Sequence, residues 1–222
     1  YINVMTVIFE FFYMERLTKD DLFKQINVTN PDIIKEKLSK GKGLILIGAH
    51  FGNWEWLALG GSIVCREQFF VIVKEQSNKK VDDAITKIRE SRGNKMIEMK
   101  NSLREILKLL HQNQVIGILG DQSAPREASV KVDFFVKNVP AFGGAAGFAI
   151  KTGCPVLFGV MIRKKDGTYC ITWDEVETGK YKEYSDENIR LLTQDHVNLL
   201  KEAIIKHPDH WLWFHRRFKH VI

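Results

Sequence analysis

His50 and Glu55 are the first residues along the chain whose types and spacing point to chemistry. They stand in the stretch Gly48-Ala-His50-Phe-Gly-Asn-Trp-Glu55-Trp. On a continuous helix, five positions would leave the two side chains roughly 140° apart around the axis, unable to meet. They can meet if His50 sits on a turn and Glu55 lies in the first turn of the helix that follows. Gly52 permits the sharp path this needs, and Asn53 is a suitable N-cap. A carboxylate on one imidazole nitrogen fixes the tautomer and raises the basicity of the other. The product is a general base for a hydroxyl proton. With seven histidines, about one such His-x4-acid pair is expected by chance. A structural histidine beside a surface glutamate is therefore the competing reading, and the surrounding turn and apolar helix favour the dyad.

Two further groups carry polar chemistry. Asp121 and Gln122 follow an apolar run, where side chains at a strand end can face a cleft; a structural turn aspartate would look the same. Near the C-terminus, His215, Arg216, Arg217 and Lys219 are interleaved with Trp211, Trp213 and Phe214. Amphipathic rings with cations suit a lipid interface and a phosphorylated headgroup. The same composition could serve single-stranded nucleic acid by stacking, but no nucleic-acid fold motif accompanies it, and none is expected as a partner. Lys74, Lys79 and Lys80 could face an acidic carrier protein or simply solvent. No HExxH, Walker or GxGxxG pattern is present, so neither a metal nor a nucleotide is expected. Gly143-Gly-Ala-Ala-Gly147 reads as small residues for close helix-sheet packing.

The secondary structure around these residues alternates regularly along the chain. Continuous apolar runs at 44–47, 69–73, 115–119 and 156–162 read as strands buried on both faces, with a more alternating one at 169–173. Between them lie helical stretches at 54–64, 81–92, 101–112 and 142–152, and a long helix at 186–206 capped by Ser185. Residues 31–40 read as a helix opened by Asn30-Pro31 and stopped by Gly41. Thr18-x-x-Asp21 resembles a capping box. Strands alternating with helices imply an α/β fold: an αβα sandwich around a mainly parallel or mixed central sheet. In such sheets, ligands gather beyond the carboxyl ends of the strands, which is where His50 and Asp121 fall.

The 222 residues are 45% hydrophobic and 27% charged, with three cysteines. That excludes a disordered chain and a disulfide-stapled miniprotein and suits one domain over 1–222. The odd cysteine count, without CxxC spacing, points to a reducing compartment. A net charge of +6 favours anionic partners. The opening segment, with Val4, Ile8, Phe11, Phe12 and Met14, is a helix apolar over much of its surface. It reads as a core-packing helix, or as one lying against a bilayer or a preceding segment. No apolar run reaches the 18 residues of a spanning helix.

Several of these blocks together resemble one family. Residues 41–55, ending His50-Phe-Gly-Asn-Trp-Glu55, are similar to the His-x4-Asp/Glu block of the bacterial lipid A late acyltransferases. Residues 88–97 resemble that family's arginine block, with Arg89 at the functional arginine. Gly120-Asp-Gln122 resembles its strand-ending Asp-Gln pair, Val132–Phe135 with Pro140–Gly143 its next block, and His210–Lys219 its aromatic, His-Arg-Arg-bearing end. The resemblance implies a glycerolphosphate-acyltransferase-like fold and transfer of a fatty acyl chain from acyl-acyl carrier protein, or acyl-CoA, as co-substrate. The implied acceptor is a hydroxyacyl group of a phosphorylated glucosamine lipid. It implies no cofactor, a membrane surface at the cytoplasmic face of the bacterial inner membrane, and an N-terminal anchor preceding these residues. His50 would be the base, Glu55 its orienting carboxylate, and Arg89 a phosphate or carbonyl ligand. Gly52, Asn53, Asp121, Gln122, His215 and Arg216 would contact substrate. Because the acceptor is the nucleophile, Cys65 would be a buried helix residue and not a catalytic thiol. An acyltransferase for another glycolipid or aminolipid, or a non-catalytic membrane- or carrier-binding module, is the alternative.

Overall fold

The computed structural model describes residues 2–125 and 129–221. Along the chain run α1 (Ile2–Tyr13), α2 (Lys19–Gln25), β1 (Ile26–Val28), α3 (Ile33–Leu38), β2 (Leu44–Gly48), α4 (Trp54–Cys65), β3 (Phe69–Val73) and α5 (Lys79–Glu90). They are followed by β4 (Lys95–Glu98), α6 (Ser102–His111), β5 (Val115–Leu119), β6 (Val130–Phe134), β7 (Val136–Ala141), α7 (Gly144–Thr152), β8 (Val156–Arg163), β9 (Tyr169–Val176) and α8 (Asp186–Lys206). Seven strands form one sheet in the order β1-β9-β8-β2-β5-β3-β4, and β6 and β7 pair as a separate hairpin. Within the large sheet only β8 and β9 run antiparallel, joined by a short turn; the other pairings described are parallel. The fold is thus the α/β class, with a mixed, mostly parallel sheet flanked by helices.

β2 lies at the centre and is buried at every residue. Its alternation explains the layers. Leu44 and Leu46 enter a core with Leu22, Ile34, Trp56 and Leu59 from α2, α3 and α4. Ile45 and Ile47 enter the opposite core with Leu110, Ala149 and Leu200 from α6, α7 and α8. A continuous apolar run, rather than an alternating one, is what a strand covered on both sides requires.

The capping signals are realised. Thr18 and Asp21 form the reciprocal box that opens α2, and Ser185 caps α8 through the Asn188 amide. α3 is shorter than the spacing predicts: Asn30–Asp32 form a turn, and the helix begins only at Ile33. Sequence periodicity also gives no warning of β1, β4 or the β6–β7 hairpin. β1 and β4 are only three and four residues long and lie at the sheet's two edges.

Candidate active site

β2 and β5 pair in parallel with Gly48 opposite Leu119, and the register is held past the strand ends by Gly120 N–H donating to Gly48 O at 3.0 Å. Two residues beyond each strand end stand His50 and Asp121. Their side chains meet, with His50 Nδ1 2.8 Å from Asp121 Oδ1. Asp121 Oδ2 accepts a second hydrogen bond, at 3.0 Å, from Trp211 Nε1. Burial works to raise the Asp121 pKa, but the hydrogen bonds and charge of His50, together with Trp211, bring it below the ordinary carboxylate value. A carboxylate held ionised at Nδ1 assigns the neutral ring's proton to that nitrogen and leaves Nε2 as the acceptor. Nε2 faces Gln122, whose exposed side-chain amide lies 3.4 Å away.

Glu55 does not serve as the partner of His50. Arg89, in the last turn of α5, takes both of its oxygens: Nε to Oε2 at 2.9 Å and Nη2 to Oε1 at 2.6 Å. A guanidinium fork matches a carboxylate edge-on, so a carboxylate so engaged has little to offer an imidazole. The Arg89 guanidinium also lies over the Phe11 ring of α1, 6.0 Å from its centroid. Burial opposes the Arg89 charge, yet Glu55 raises its pKa above the ordinary value.

The turn carrying His50 is pinned from several sides. Gly52 has φ +58°, and a Cβ there would lie 1.6 Å from the Met161 carbonyl oxygen, so only glycine fits. Asn53 Oδ1 accepts from Trp56 N–H at 3.0 Å, capping α4, while its Nδ2 donates to Glu10 Oε2 at 2.8 Å. Expected to touch substrate, Gly52 and Asn53 are instead built into the scaffold, and Asn53 is fully buried. Glu10 also accepts from Arg163 Nη2 at 2.8 Å and from the Tyr169 hydroxyl. Asn3 donates to the carbonyls of Gly52 and His210 at 3.1 and 3.0 Å. The C-terminal segment closes the other side, where Leu212 N–H donates to His50 O and Gly52 N–H to His210 O, both at 2.9 Å.

That segment divides the basic-aromatic cluster. Trp211 and Arg217 are buried, whereas Trp213, Phe214, Arg216 and Lys219 are exposed. Arg217 sits over the Phe134 ring and donates to Pro140 O, and burial pushes its pKa down to about 10. It therefore faces the core and not a headgroup. His215 is partly buried, which lowers its pKa, and it lies close enough to Asp121 and His50 for their charges to act on it.

Beneath α4 runs an apolar cavity of about 80 Å³ lined by Trp54, Leu57, Phe69, Val71, Ile118 and Trp173, with Glu55 and Arg89 also among its walls. The Trp54 ring packs against His50, centroids 5.4 Å apart. Cys65 and Cys154 are poor nucleophiles: burial pushes their thiols up to about 12 and about 11. Among the described residues, no group of histidine, cysteine or acidic side chains is arranged to hold a metal ion.

An imidazole with one nitrogen held by a buried carboxylate and the other meeting an exposed glutamine amide, beside an apolar cavity, is equipped to take a proton from a hydroxyl near a hydrocarbon chain. The family described as bacterial lipid A biosynthesis acyltransferase matches residues 1–220, and the chain belongs to it. The chain is 26% identical over 197 residues to the lipid A biosynthesis palmitoleoyltransferase of Escherichia coli (strain K12), covering 88% of this chain and 62% of that protein. The lipid A biosynthesis acyltransferase of Shigella flexneri matches with the same figures. A phosphatidylinositol mannoside acyltransferase of Mycolicibacterium smegmatis (strain ATCC 700084 / mc(2)155) is 22% identical over 210 residues, covering 91% of this chain and 65% of that protein. The chain thus spans less than two thirds of the length of these curated relatives.

Proposed function

We propose that the chain moves a fatty acyl group from an acyl-acyl carrier protein, or acyl-CoA, to a hydroxyl of a phosphorylated glucosamine lipid at the cytoplasmic face of the bacterial inner membrane. The observation that carries this is the His50–Asp121 pair, with Nε2 facing the exposed Gln122 amide and the ring packed on Trp54, which walls the apolar cavity. In the reaction, His50 Nε2 takes the acceptor hydroxyl's proton as the oxygen attacks the thioester carbonyl carbon. The tetrahedral intermediate collapses, the carbon–sulfur bond breaks, and the departing thiolate takes the proton from His50. Asp121 stays ionised throughout and steadies the imidazolium.

Gln122, facing Nε2 of His50, and His215, close to the pair, suit contact with the acceptor, and exposed Arg216 suits its phosphate. The apolar cavity suits part of the acyl chain. Arg89, fixed by Glu55 in the wall of that cavity, suits the polar end of the donor. Exposed Lys74 and Lys80 suit an acidic carrier.

The test is transfer of a labelled acyl chain from acyl carrier protein to a tetra-acylated lipid A precursor in detergent, wild type beside His50→Ala. Product from the wild type alone supports both reaction and base. Equal product from both removes His50 as the base. Product only with a phosphatidylinositol mannoside acceptor would move the substrate class.

A further inference from the structure

Arg217 is among the largest fully buried side chains of the protein, with 2% of its surface exposed. A buried cation is costly unless a counter-charge and hydrogen bonds offset it. Buried Lys37 has both, meeting Glu175 at 2.6 Å and Glu36 at 3.2 Å. Arg217 has far less. Its Nη1 donates to Pro140 O, its guanidinium lies 5.5 Å from the Phe134 centroid, and its Nε has no hydrogen-bond partner among the described residues. The carboxylate whose charge favours the cation is Asp121. Packing alone does not account for such a group, because a neutral side chain of similar volume would fill the space without the desolvation cost.

The residues that hold Arg217 lead to the site. The Phe134 ring beneath its guanidinium meets Trp211 edge-on, with centroids 5.6 Å apart and planes at 85°. Trp211 Nε1 in turn donates to Asp121 at 3.0 Å. Arg217, Phe134, Trp211 and Asp121 therefore form one series of contacts that ends at His50 Nδ1. Two further rings lie within reach of the same charge. His215, whose carbonyl accepts from Arg217 N–H at 2.7 Å, and His196 of α8 are both disfavoured as cations by Arg217. Lys219 and His50 act on His215 in the same sense, and Asp195 opposes it at His196. The β6–β7 hairpin presents to Arg217 the Phe134 ring and the Pro140 carbonyl.

We propose that Arg217 is a positioning residue for the His50–Asp121 pair, its buried positive charge holding Asp121 ionised and tempering the pull of that carboxylate on the His50 proton. Left alone, an ionised Asp121 favours the protonated ring of His50. A cation near the carboxylate offsets part of that field and keeps the neutral ring, the form able to take a proton, available at lower pH. The catalytic consequence rests on the acyl-transfer reading. The effect on the His50 proton does not, and it can be read without any substrate.

The experiment is an NMR titration of the chain with nitrogen-labelled histidine rings, the His50 signals being assigned by their loss in His50→Ala. Each variant is first checked for a cooperative melting transition. Arg217→Met removes the charge and keeps the bulk, and Arg217→Gln removes it while retaining a donor for Pro140. In both, His50 is expected to stay protonated to a pH about half a unit or more above wild type, roughly threefold or more in proton affinity. Arg217→Lys, which keeps the charge, follows the wild type. An unchanged His50 titration in the folded Met and Gln variants overturns the proposal. An equal shift in all three variants also overturns it, since packing and not charge would then be what Arg217 supplies. Where transfer is assayed, the acid limb of kcat/KM against pH moves with the titration. A titration shift in a chain whose wild type transfers no acyl group would remove the acyl-transfer reading and still uphold the action of Arg217 on the pair.

Discussion

His50 and Asp121 stand two residues beyond the ends of paired parallel strands, and their side chains meet at 2.8 Å because the register of β2 and β5 puts them side by side. The carboxylate nearest in sequence, Glu55, faces Arg89 instead. The site therefore contains two separate charge pairs, and single substitutions in each can distinguish what they do.

If Asp121 sets the tautomer of His50, Asp121→Asn lowers kcat by roughly 10²–10⁴ with little change in KM. His50→Ala lowers it at least as far while leaving the melting transition nearly unchanged. Steady-state kinetics of the two variants checks both. An Asp121→Asn enzyme within a few-fold of wild type would show that the pair does not operate in catalysis.

Glu55 and Arg89 act as a unit, with side chains 14% and 26% exposed. Glu55→Gln or Arg89→Met alone is expected to destabilise by about 1–3 kcal/mol, since each leaves a partly buried charge without its partner. The double variant should cost clearly less than the sum, a coupling of about 1 kcal/mol or more. Denaturant melts of all four proteins complete the cycle.

Gly52→Ala tests the scaffold under His50. With φ +58° and a Cβ 1.6 Å from the Met161 oxygen, the change forces the backbone apart and is expected to destabilise by more than about 2 kcal/mol. If His50 is the base, activity should fall more than stability, because the turn that moves carries His50. A variant with wild-type stability and rate would contradict this geometry.

His196, buried in α8, has its pKa lowered to about 4 because burial disfavours the charged ring. The unfolded chain takes up a proton near pH 6.5 that the native state refuses until about pH 4. The stability His196 confers is thus complete above about 6.5 and lost as pH falls through that window, up to about 3 kcal/mol. His196→Gln should flatten the stability-versus-pH curve between those limits, whatever it does to the absolute value. An unchanged slope would refute the neutral, buried assignment.

Much of the fold can be read from the residues. Buried strands announce themselves as unbroken apolar runs, and Thr18, Asn53 and Ser185 mark helix starts by their own chemistry. Short edge strands do not, because three or four residues such as Ile26–Val28 show no period. The site is legible in its members but not in its pairings. His50, Asp121 and Gln122 stand out at strand ends, yet sequence alone does not say that β2 and β5 are neighbours. The same gap hides Glu10: it interrupts an apolar helix, and only tertiary contact reveals that it reaches Asn53, 43 positions away. Arg217 is misleading for the opposite reason, since a cation beside Arg216 reads as surface and is packed on Phe134.

Trp211 and Leu212 have a consequence for the order in which the protein becomes functional. The ribosome delivers His50 and Asp121 long before the indole that completes Asp121's hydrogen bonding and the amide that ties down the His50 carbonyl. A nascent chain can build its central sheet and still lack the finished His50–Asp121 arrangement. A chain stopped at residue 206 is accordingly expected to bind no acceptor productively and to show no transfer. Activity is therefore expected only once the segment carrying Trp211 and Leu212 has been made and locks onto the turn that carries His50.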